Sequence, residues 1–305
     1  MKELERRFAQ VAGVRLREGP QGLVFVDVDQ ALAEATICLQ GAHLMTWRPK
    51  TQAQPVIWLS GAAVPARGKA IRGGIPVCWP WFGPAAAGSG LPSHGFVRVV
   101  DWQFEGAAVL QDGATQLRFA IRDDEATRAA WPHAFSLQLC MTIGEQLDVE
   151  LATTNTGREP FLLGEALHAY FRIGDIGSVG IDGLDGAAYA DSARGGQRGR
   201  QQGPIAFDGE FDRVYLGVSR EVVIVDPALQ RRIRVAQDGA RSVVVWNPWA
   251  EKAARLGDLG AGAHGQGGWR EMVCVETANA LDDRVTVGPG ETHRAAASYR
   301  AEPLA

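Results

Sequence analysis

Apolar and polar residues alternate in short runs along most of the chain, and Gly, Pro or Asp often separates one run from the next. Clear examples are GLVFVDVD, ATICLQ, TQLRFAIRD and QLDVELATTN. Alternation with a period of two predicts strands that bury one face, and strands that recur about every ten residues favour a sandwich. Because no linker-like break interrupts the pattern, we predict one all-β domain over residues 1–305, a large antiparallel β-sandwich with a few short helices.

Three segments depart from this pattern and predict short helices: Lys2–Ala12, Asp123–Pro132, where the proline ends the helix, and Asn247–Asp258. The single low-complexity segment is Asp191–Gly203, DSARGGQRGRQQG. A segment rich in arginine and glycine can be an RNA-binding arm or a basic loop over an anionic substrate. The interpretation that we favour is a mobile, solvated hairpin loop.

Composition and charge argue against several classes of function. The 305 residues carry a formal net charge of −4 and are 46% hydrophobic, which is typical of a globular protein without a nucleic-acid partner. No apolar run reaches the ~18 residues of a membrane span. The charged N-terminal sequence MKELERRFAQ also lacks the apolar core of a signal peptide. We therefore expect no membrane partner.

Cysteine and glycine motifs give little support to a metal or nucleotide site. The four cysteines, Cys38, Cys78, Cys140 and Cys274, all occur in apolar contexts. Such residues are typically buried, reduced thiols, which predicts a cytoplasmic location. Without a CxxC, HxH or HExxH motif we predict no metal site. The GxGxxG match at Gly260–Gly265 follows a helical segment instead of a strand, so we reject a dinucleotide site.

The segment Ile71–Arg98, IRGGIPVCWPWFGPAAAGSGLPSHGFVR, has a composition that an ordinary core segment does not have. Its paired glycines allow a close backbone approach, and its four prolines forbid a continuous helix. If Ser93–Val99 is a strand, His94, Phe96 and Arg98 share one face. The segment therefore predicts a surface that carries a titratable ring, an aromatic ring and a guanidinium group.

Two more candidates lie on predicted strands. In EPFLLGEALHAYFRIG, a strand would place His168 beside the small residues Gly164 and Ala166, which leave room for a ligand. A histidine that is hydrogen-bonded inside a sandwich is nevertheless the more common arrangement. Glu276 ends the apolar strand EMVCVE, where a carboxylate needs a hydrogen-bond partner or has a shifted pKa. For Glu276 the pattern alone favours a functional role.

The pattern is less informative for two charged residues and an aromatic cluster. Asp212 in FDRVY would by itself be an exposed ion pair. Arg72, beside the paired glycines, is as compatible with a surface salt bridge as with an anion site. We expect Trp79, Trp81 and Phe82 to belong to the core more readily than to a sugar-binding platform.

The segments IRGGIPVCWPWFGP and LPSHGFVR resemble the D-hexose-6-phosphate mutarotases, also called glucose-6-phosphate 1-epimerases, a branch of the aldose 1-epimerase superfamily. Later segments match in order, so the resemblance covers nearly the whole chain. It implies the galactose mutarotase-like supersandwich and an isomerase that interconverts the α and β anomers of a hexose 6-phosphate. No cofactor is required for that reaction, and we expect a monomer whose partner is a small sugar phosphate.

The resemblance also implies roles for six residues. His168 would be the general acid and Glu276 the general base that open and close the sugar ring. His94 would bind the ring or anomeric oxygen, and Asp212 would accept hydrogen bonds from sugar hydroxyls. The remaining two residues, which carry guanidinium groups suited to phosphate, are Arg72 and Arg98.

Three alternatives remain open at the level of sequence. An aldose 1-epimerase for unphosphorylated sugars would keep the acid and base but would have no use for the arginine pair. A glycoside hydrolase or lyase on a similar sandwich normally needs two carboxylates, which the His–Glu pair does not supply. A non-catalytic carbohydrate or sugar-phosphate module would need the aromatic and arginine residues without a placed acid and base.

Overall fold

The structure is a computed structural model that describes residues 11–304, and strands are its main regular secondary structure. The strands are β1 (Val14–Glu18), β2 (Val24–Asp29), β3 (Ala33–Cys38), β4 (His43–Pro49), β5 (Val77–Cys78), β6 (Gln103–Val109), β7 (Thr115–Arg122), β8 (Phe135–Ile143), β9 (Gln146–Asn155), β10 (Phe161–Leu163), β11 (Glu165–Leu167), β12 (Tyr170–Arg172), β13 (Gly180–Asp182), β14 (Ala188–Asp191), β15 (Gln197–Arg200), β16 (Ile205–Ala206), β17 (Phe211–Leu216), β18 (Val222–Asp226), β19 (Arg231–Asp238), β20 (Ser242–Asn247), β21 (Met272–Asn279), β22 (Val285–Val287) and β23 (Thr292–Pro303). Two α-helices are described, α1 (Glu125–Ala130) and α2 (Trp249–Leu256). Short 3₁₀ turns cover Pro20–Gly22, Val97–Val99, Ile176–Ser178, Ser192–Arg194, Gly268–Glu271 and Leu281–Asp283.

Two large antiparallel sheets dominate the molecule. The first has nine strands in the order β16-β13-β18-β19-β23-β9-β8-β7-β6. The second has eight strands: seven follow the order β15-β14-β17-β20-β21-β11-β5, and β12 also pairs with β21. A four-stranded sheet (β1 to β4) and the pair β10-β22 complete the described fold. This architecture confirms the predicted all-β class with only a few short helices.

Apolar residues of both large sheets form one buried cluster. Val245 and Val275 of the eight-stranded sheet belong to it together with Val149 of the nine-stranded sheet. The rings of Phe171 and Tyr299 meet edge to face across the cluster, with centroids 5.4 Å apart. Such continuous burial between two faces is how a sandwich gains most of its stability.

Strands β20 and β21 are buried along their whole length, as their near-continuous apolar sequences indicate. Their antiparallel register places Val244 opposite Glu276 and Trp246 opposite Cys274. Because successive side chains alternate between faces, these four residues share the face that looks away from the core. This outer face of the eight-stranded sheet therefore carries the buried carboxyl group of Glu276.

Two predicted helices are confirmed by their local structure. Helix α1 starts with a capping box, in which the Asp124 carboxylate accepts from Thr127 N at 2.7 Å and Thr127 Oγ1 accepts from Asp124 N at 2.8 Å. Helix α2 ends at Gly257, which adopts a left-handed φ of 71°. The predicted helix Lys2–Ala12 lies, up to residue 10, outside the described residues. No helix within residues 11–304 has the length and apolar character of a transmembrane segment.

Three predicted local structures differ from the observed ones. The expected strand Ser93–Val99 is a tight turn followed by a 3₁₀ turn, because Phe96 N bonds Trp79 O at 3.1 Å and a Cβ on Gly95 would lie 1.8 Å from that same oxygen. The expected single strand around His168 is divided into β10, β11 and β12. The hairpin expected within Asp191–Gly203 is present, but part of the segment is a regular strand, β15, which pairs with β14 at the edge of the sheet.

Candidate active site

A cavity of about 350 Å³ opens on the outer face of the eight-stranded sheet. It brings together five of the six predicted site residues from widely separated parts of the sequence: Arg72, His94, His168, Asp212 and Glu276. The fold therefore places the candidate acid and base in one cavity with His94 and Asp212.

His168 and Glu276 face each other at the floor of this cavity. The antiparallel register of β11 with β21 pairs Leu167 with Thr277. His168, which follows Leu167, therefore lies opposite Glu276, which precedes Thr277. His168 Nε2 lies 3.3 Å from Glu276 Oε1. Both side chains are buried, with 9% and 1% of their residue surface exposed. The sheet thus holds an imidazole and a carboxyl group together in a nearly dry environment.

Burial moves the pKa values of these two groups in opposite directions. It raises the pKa of Glu276 well above its usual range, and the negative charge of Asp212 adds to the effect. Burial also lowers the pKa of His168, and so do the charges of His94, Arg72 and Arg98. Both shifts favour the neutral forms, a carboxylic acid beside a neutral imidazole. The pair then offers one proton donor and one proton acceptor.

Each member of the pair also keeps a polar atom without a partner. Within residues 11–304, His168 Nδ1 and Glu276 Oε2 are buried and make no hydrogen bond. Buried polar atoms in proteins are nearly always satisfied, and an exception calls for an explanation such as a bound ligand or a catalytic role. This pair therefore has free hydrogen-bonding capacity beside the cavity.

His94 enters the cavity from a strained turn. Its φ is 63°, and its amide donates to Gly83 O at 2.7 Å. Burial lowers the pKa of His94 to about 4, with further contributions from Arg98 and Arg72. Its Nδ1 accepts from Gly83 N at 3.4 Å, so the neutral ring carries its proton on Nε2. His94 is consequently a hydrogen-bond donor without charge.

Asp212 lies on the opposite wall, on β17, and is not the exposed ion pair that its sequence context suggests. Its carboxylate is 3.5 Å from Lys252 Nζ, which also contacts Glu210 at 2.7 Å. Burial raises the pKa of Asp212, and the charge of Lys252 opposes that shift. Lys252 itself lines the cavity and was not predicted. No sequence signal identifies it, because its position depends on how α2 packs beside β17.

Arg72 is anchored by two neighbours. Its Nε donates to Asp258 Oδ2 at 3.0 Å, and its Nη1 donates to Tyr170 Oη at 2.8 Å. The ring of Tyr170 in turn stacks on His168, with centroids 4.8 Å apart and an interplanar angle of 8°. A chain of contacts thus joins a guanidinium group at the cavity wall to the catalytic candidate at its floor.

The two glycines after Arg72 allow the backbone to lie close to β4 of the four-stranded sheet. Gly73 and Gly74 have φ values of 102° and 71°. A Cβ on Gly74 would lie 2.3 Å from both the side chain of His43 and Leu44 O. Glycine is therefore required here for a close approach as well as for its left-handed conformation.

Arg98 is the predicted residue that does not line the cavity. Its Nη2 donates to Ser93 O at 2.8 Å, so it supports the turn that carries His94. The two-guanidinium arrangement expected with Arg72 therefore does not form at the cavity surface, because the predicted strand is a turn. The charge of Arg98 nevertheless lowers the pKa values of His94 and His168. Its influence on the site is electrostatic.

The aromatic residues divide between core and cavity. Trp79 is fully buried, and its Nε1 donates to Thr153 Oγ1 at 3.0 Å, as expected for a core residue. Phe82, by contrast, lines the cavity, and its ring meets His94 edge to face with centroids 4.9 Å apart. Ser192 in the β14-β15 hairpin also reaches the cavity, which sequence reasoning missed.

One group of side chains has the spacing of a metal site. Within residues 11–304, donor atoms of His168, Cys274 and Glu276 lie within 4.8 Å of one another, and all three residues are buried. The GxGxxG segment Gly260–Gly265 does not line this cavity. The site as a whole is suited to acid–base chemistry on a small polar molecule.

Comparison with known proteins agrees with this geometry. The profile of the aldose 1-epimerase family matches residues 25–300. A Salmonella typhimurium protein with the provisional name glucose-6-phosphate 1-epimerase is 38% identical over 272 residues, which cover 89% of this chain and 88% of the relative. A protein of Escherichia coli K12 with the same provisional name is 36% identical over 286 residues, covering 94% and 93% of the two chains.

Solved structures show the same relationship. The crystal structure of a Salmonella typhimurium protein provisionally described as a mutarotase superposes on this structure with a TM-score of 0.88. The two chains are 33% identical, and the match covers 99% of each. A provisional aldose 1-epimerase from Escherichia coli K12, 15% identical, has a TM-score of 0.71 over 93% of this chain and 100% of that one, and so shares the fold. This chain belongs to the aldose 1-epimerase family.

Proposed function

We propose that the protein is a glucose-6-phosphate 1-epimerase, an isomerase that interconverts the α and β anomers of a hexose 6-phosphate. The observation that carries the proposal is the buried His168–Glu276 pair, 3.3 Å apart, in a cavity whose wall holds Arg72. The names of the relatives at 36–38% identity support the same substrate.

Anomerisation needs one proton delivered to the ring oxygen and one removed from the anomeric hydroxyl. Burial favours the form of the pair in which Glu276 holds the shared proton. Transfer of that proton across 3.3 Å to His168 gives an imidazolium acid beside a carboxylate base. His168 then protonates the ring oxygen while Glu276 takes the anomeric proton, and the ring opens. After rotation about the C1–C2 bond, the two residues exchange roles and the ring closes.

The other polar residues orient the sugar. His94 donates through its Nε2–H to the ring or anomeric oxygen, where negative charge develops. Asp212 accepts hydrogen bonds from sugar hydroxyls with its two oxygens. Neither role requires these residues to exchange a proton with the substrate, in agreement with the low pKa of His94.

Arg72 is the residue that we assign to the phosphate group. A guanidinium fork matches phosphate geometry, and Arg72 lines the cavity with its guanidinium group held by Asp258 and Tyr170. Arg98 supplies a second positive charge that attracts the phosphate group of the substrate. For direct contact it would have to release Ser93 O.

One observation favours a second candidate, an aldose 1-epimerase for unphosphorylated sugars. Arg72 already has two partners, and Asp258 neutralises its charge. If Asp258 stays paired with Arg72 when the substrate binds, Arg72 attracts a phosphate dianion less strongly than an unpaired arginine would. The cavity would then give a phosphorylated sugar little advantage over a free sugar.

We also propose that the enzyme acts as a cytoplasmic monomer without nucleic-acid or membrane partners. Its four cysteines are free, and three of them are buried, which suits a reducing compartment. Among residues 11–304 the exposed large apolar residues are few, with Val64 the most exposed at 80%, and they do not by themselves demand a partner surface.

The test compares glucose 6-phosphate with glucose as substrates. The approach to anomeric equilibrium is followed by polarimetry or by a coupled dehydrogenase assay, and kcat/KM is obtained for each sugar. A strong preference for the phosphorylated sugar is the expected outcome. Equal values identify a plain aldose 1-epimerase, and binding of either sugar without turnover identifies a non-catalytic module.

A further inference from the structure

Cys274 is a buried thiol next to the catalytic candidates, and the acid–base reaction gives it no role. It precedes Glu276 by two residues on β21, so both side chains leave the strand on the same face. The thiol packs among Trp58, Tyr170 and Trp246 and has no exposed surface. Its sulfur lies within 4.8 Å of donor atoms of both His168 and Glu276.

The spacing of these donors is close to that of a tetrahedral zinc site. With Zn–N and Zn–O bonds near 2.0 Å and Zn–S near 2.3 Å, donor atoms are separated by about 3.3 Å (N to O) and about 3.6 Å (S to N or O). His168 Nε2 and Glu276 Oε1 are already 3.3 Å apart. Because no two of the donor atoms are more than 4.8 Å apart, a side-chain adjustment of about 1.2 Å or less brings the sulfur into position.

The surroundings are also suited to a cation. A cation between His168 Nε2 and Glu276 Oε1 takes the place of the proton that these two atoms share, and the remaining polar atoms of the pair, His168 Nδ1 and Glu276 Oε2, have no partner within residues 11–304. Asp212 adds a carboxylate nearby. The positive charges at the wall are partly compensated, since Arg72 pairs with Asp258 and Lys252 pairs with Glu210.

We propose that His168, Cys274 and Glu276 bind a thiophilic divalent cation such as Zn²⁺ or Cd²⁺. The three residues supply one nitrogen, one sulfur and one oxygen donor, a set that suits zinc and cadmium and is poor for Mg²⁺. On binding, the Cys274 thiol and the Glu276 carboxylic acid each release a proton to solvent, and the resulting thiolate and carboxylate coordinate the cation. The fourth position faces the cavity and is filled by water.

Such a cation inhibits the isomerase, because it occupies both groups that move protons. This consequence rests on the proposed function, whereas binding of the cation does not. Binding and inhibition are therefore measured separately.

The binding experiment titrates the metal-free protein with Cd²⁺ and Zn²⁺. A cadmium–thiolate bond gives an ultraviolet charge-transfer band, and calorimetry gives the zinc affinity. Cys274→Ser should abolish the band and weaken Zn²⁺ binding at least about 100-fold, since loss of even an outer-sphere partner costs 10–100-fold. The matched control is Cys140→Ser, which removes the more accessible thiol and should change neither signal.

Glu276→Gln provides a second variant that keeps the thiol. It should retain the cadmium band but weaken Zn²⁺ binding, and circular dichroism checks that each variant is folded. Wild-type affinity in Cys274→Ser, or a band that disappears only in Cys140→Ser, overturns the proposal.

The inhibition experiment adds Zn²⁺ or Mg²⁺ at equal concentrations to the anomerisation assay. Zn²⁺ should inhibit the wild-type protein reversibly, with recovery on addition of a chelator, and Mg²⁺ should not. Cys274→Ser should keep the wild-type rate and lose the sensitivity to Zn²⁺. A protein that binds zinc but turns over neither sugar contradicts the proposed function and leaves the metal site intact. Equal sensitivity of wild type and Cys274→Ser contradicts the metal site alone.

Discussion

Within residues 11–304, two histidine–glutamate pairs have their glutamates on neighbouring strands, β11 and β21, but on opposite faces of the eight-stranded sheet. One is His168–Glu276 on the cavity face, with 3.3 Å between Nε2 and Oε1. The other is His293–Glu165 on the core side, with 2.8 Å between the corresponding atoms. Both glutamates are 1% exposed, so burial alone does not distinguish the two pairs.

Their partners distinguish them. Glu165 Oε1 also accepts a hydrogen bond from Asn279 Nδ2 at 3.0 Å, and His293 comes from β23 of the opposite sheet. That pair therefore ties the two sheets together. Glu276 lines the cavity and has its pKa raised by burial. Each glutamate leaves Oε2 without a partner, but of the two only Glu276 lines the cavity, where a ligand can reach it. A buried pair becomes a candidate site when it faces an opening and its neighbours leave it incomplete.

The largest expected effect is on catalysis by the cavity pair. His168→Ala and Glu276→Gln should each slow anomerisation of glucose 6-phosphate by at least ~10², because each removes one proton-transfer group. The rate is measured by polarimetry at saturating substrate, and binding of the sugar phosphate is measured by calorimetry.

Glu165→Gln is the matched control, since it makes the same substitution in the other pair. It should keep a near-wild-type rate. A rate near that of wild type in Glu276→Gln, or an equal loss in Glu165→Gln, would show that the comparison assigns the catalytic pair wrongly.

The next effect concerns the phosphate and should separate the two arginines. Arg72→Ala should lower kcat/KM for glucose 6-phosphate about ten- to a hundredfold, because a charge-assisted hydrogen bond contributes roughly 1.5–3 kcal/mol. The value for glucose should hardly change. Arg98→Ala should cause a smaller loss, since its guanidinium group supports the Ser93 turn instead of lining the cavity. Equal losses for both sugars in Arg72→Ala would remove phosphate recognition from this residue.

The sequence was sufficient for the parts of the molecule that depend on local pattern or on the family resemblance. Strands such as β7 and β9 follow directly from alternation, and α1 follows from its capping residue and the proline after it. The buried position of Glu276 follows from the apolar strand that it ends. The cavity that gathers it with His168 follows from the resemblance.

What could not be predicted depends on contacts between distant backbones. His94 and Arg98 do not share a face, because Gly95 packs on the backbone of Trp79 and bends the chain into a turn. Lys252 reaches Asp212 only through the packing of α2. The proximity of Cys274 to His168 depends on the registers of β11 and β12 with β21, which alternation does not determine.

The two glutamate substitutions should rank in opposite orders for catalysis and for stability. Glu165→Gln should lower the free energy of unfolding by about 1–2 kcal/mol, because the amide replaces one acceptor oxygen with a donor among the donors of Asn279 and His293. Glu276→Gln should be neutral or stabilising at neutral pH, as is common where an active site holds an uncompensated polar group. Urea unfolding measures both. Greater destabilisation by Glu276→Gln would mean that the cavity pair also holds the fold together.

The effect of Glu276 on stability should also depend on pH. Its folded-state pKa is raised, so the folded protein binds this proton more tightly than the unfolded chain does. The stabilisation is full below the unfolded pKa of about 4.3 and is lost as pH rises through the folded value. Relative to wild type, Glu276→Gln should therefore gain stability between pH 5 and pH 8. Urea midpoints at several pH values test this, and a constant difference would contradict the raised pKa.

The smallest expected effect comes from the link between the arginine and the catalytic pair. Tyr170 stacks on His168 and accepts a hydrogen bond from Arg72, so its ring and its hydroxyl serve different neighbours. Tyr170→Phe keeps the stacked ring and removes only the hydroxyl. Because a typical hydrogen bond contributes about 0.5–1.5 kcal/mol, KM for glucose 6-phosphate should rise roughly two- to tenfold.

The kinetic constants separate positioning of the arginine from a direct effect on the acid. If Tyr170 acts through Arg72, kcat for glucose 6-phosphate stays near wild type and the constants for glucose do not change. Tyr170→Leu, which removes the ring as well, should then lower kcat for both sugars, because His168 loses the surface on which it stacks. If Tyr170→Phe instead lowers kcat equally for both sugars and leaves KM unchanged, the hydroxyl acts on His168 and not through Arg72. The coupling between the wall and the floor of the cavity would then be absent.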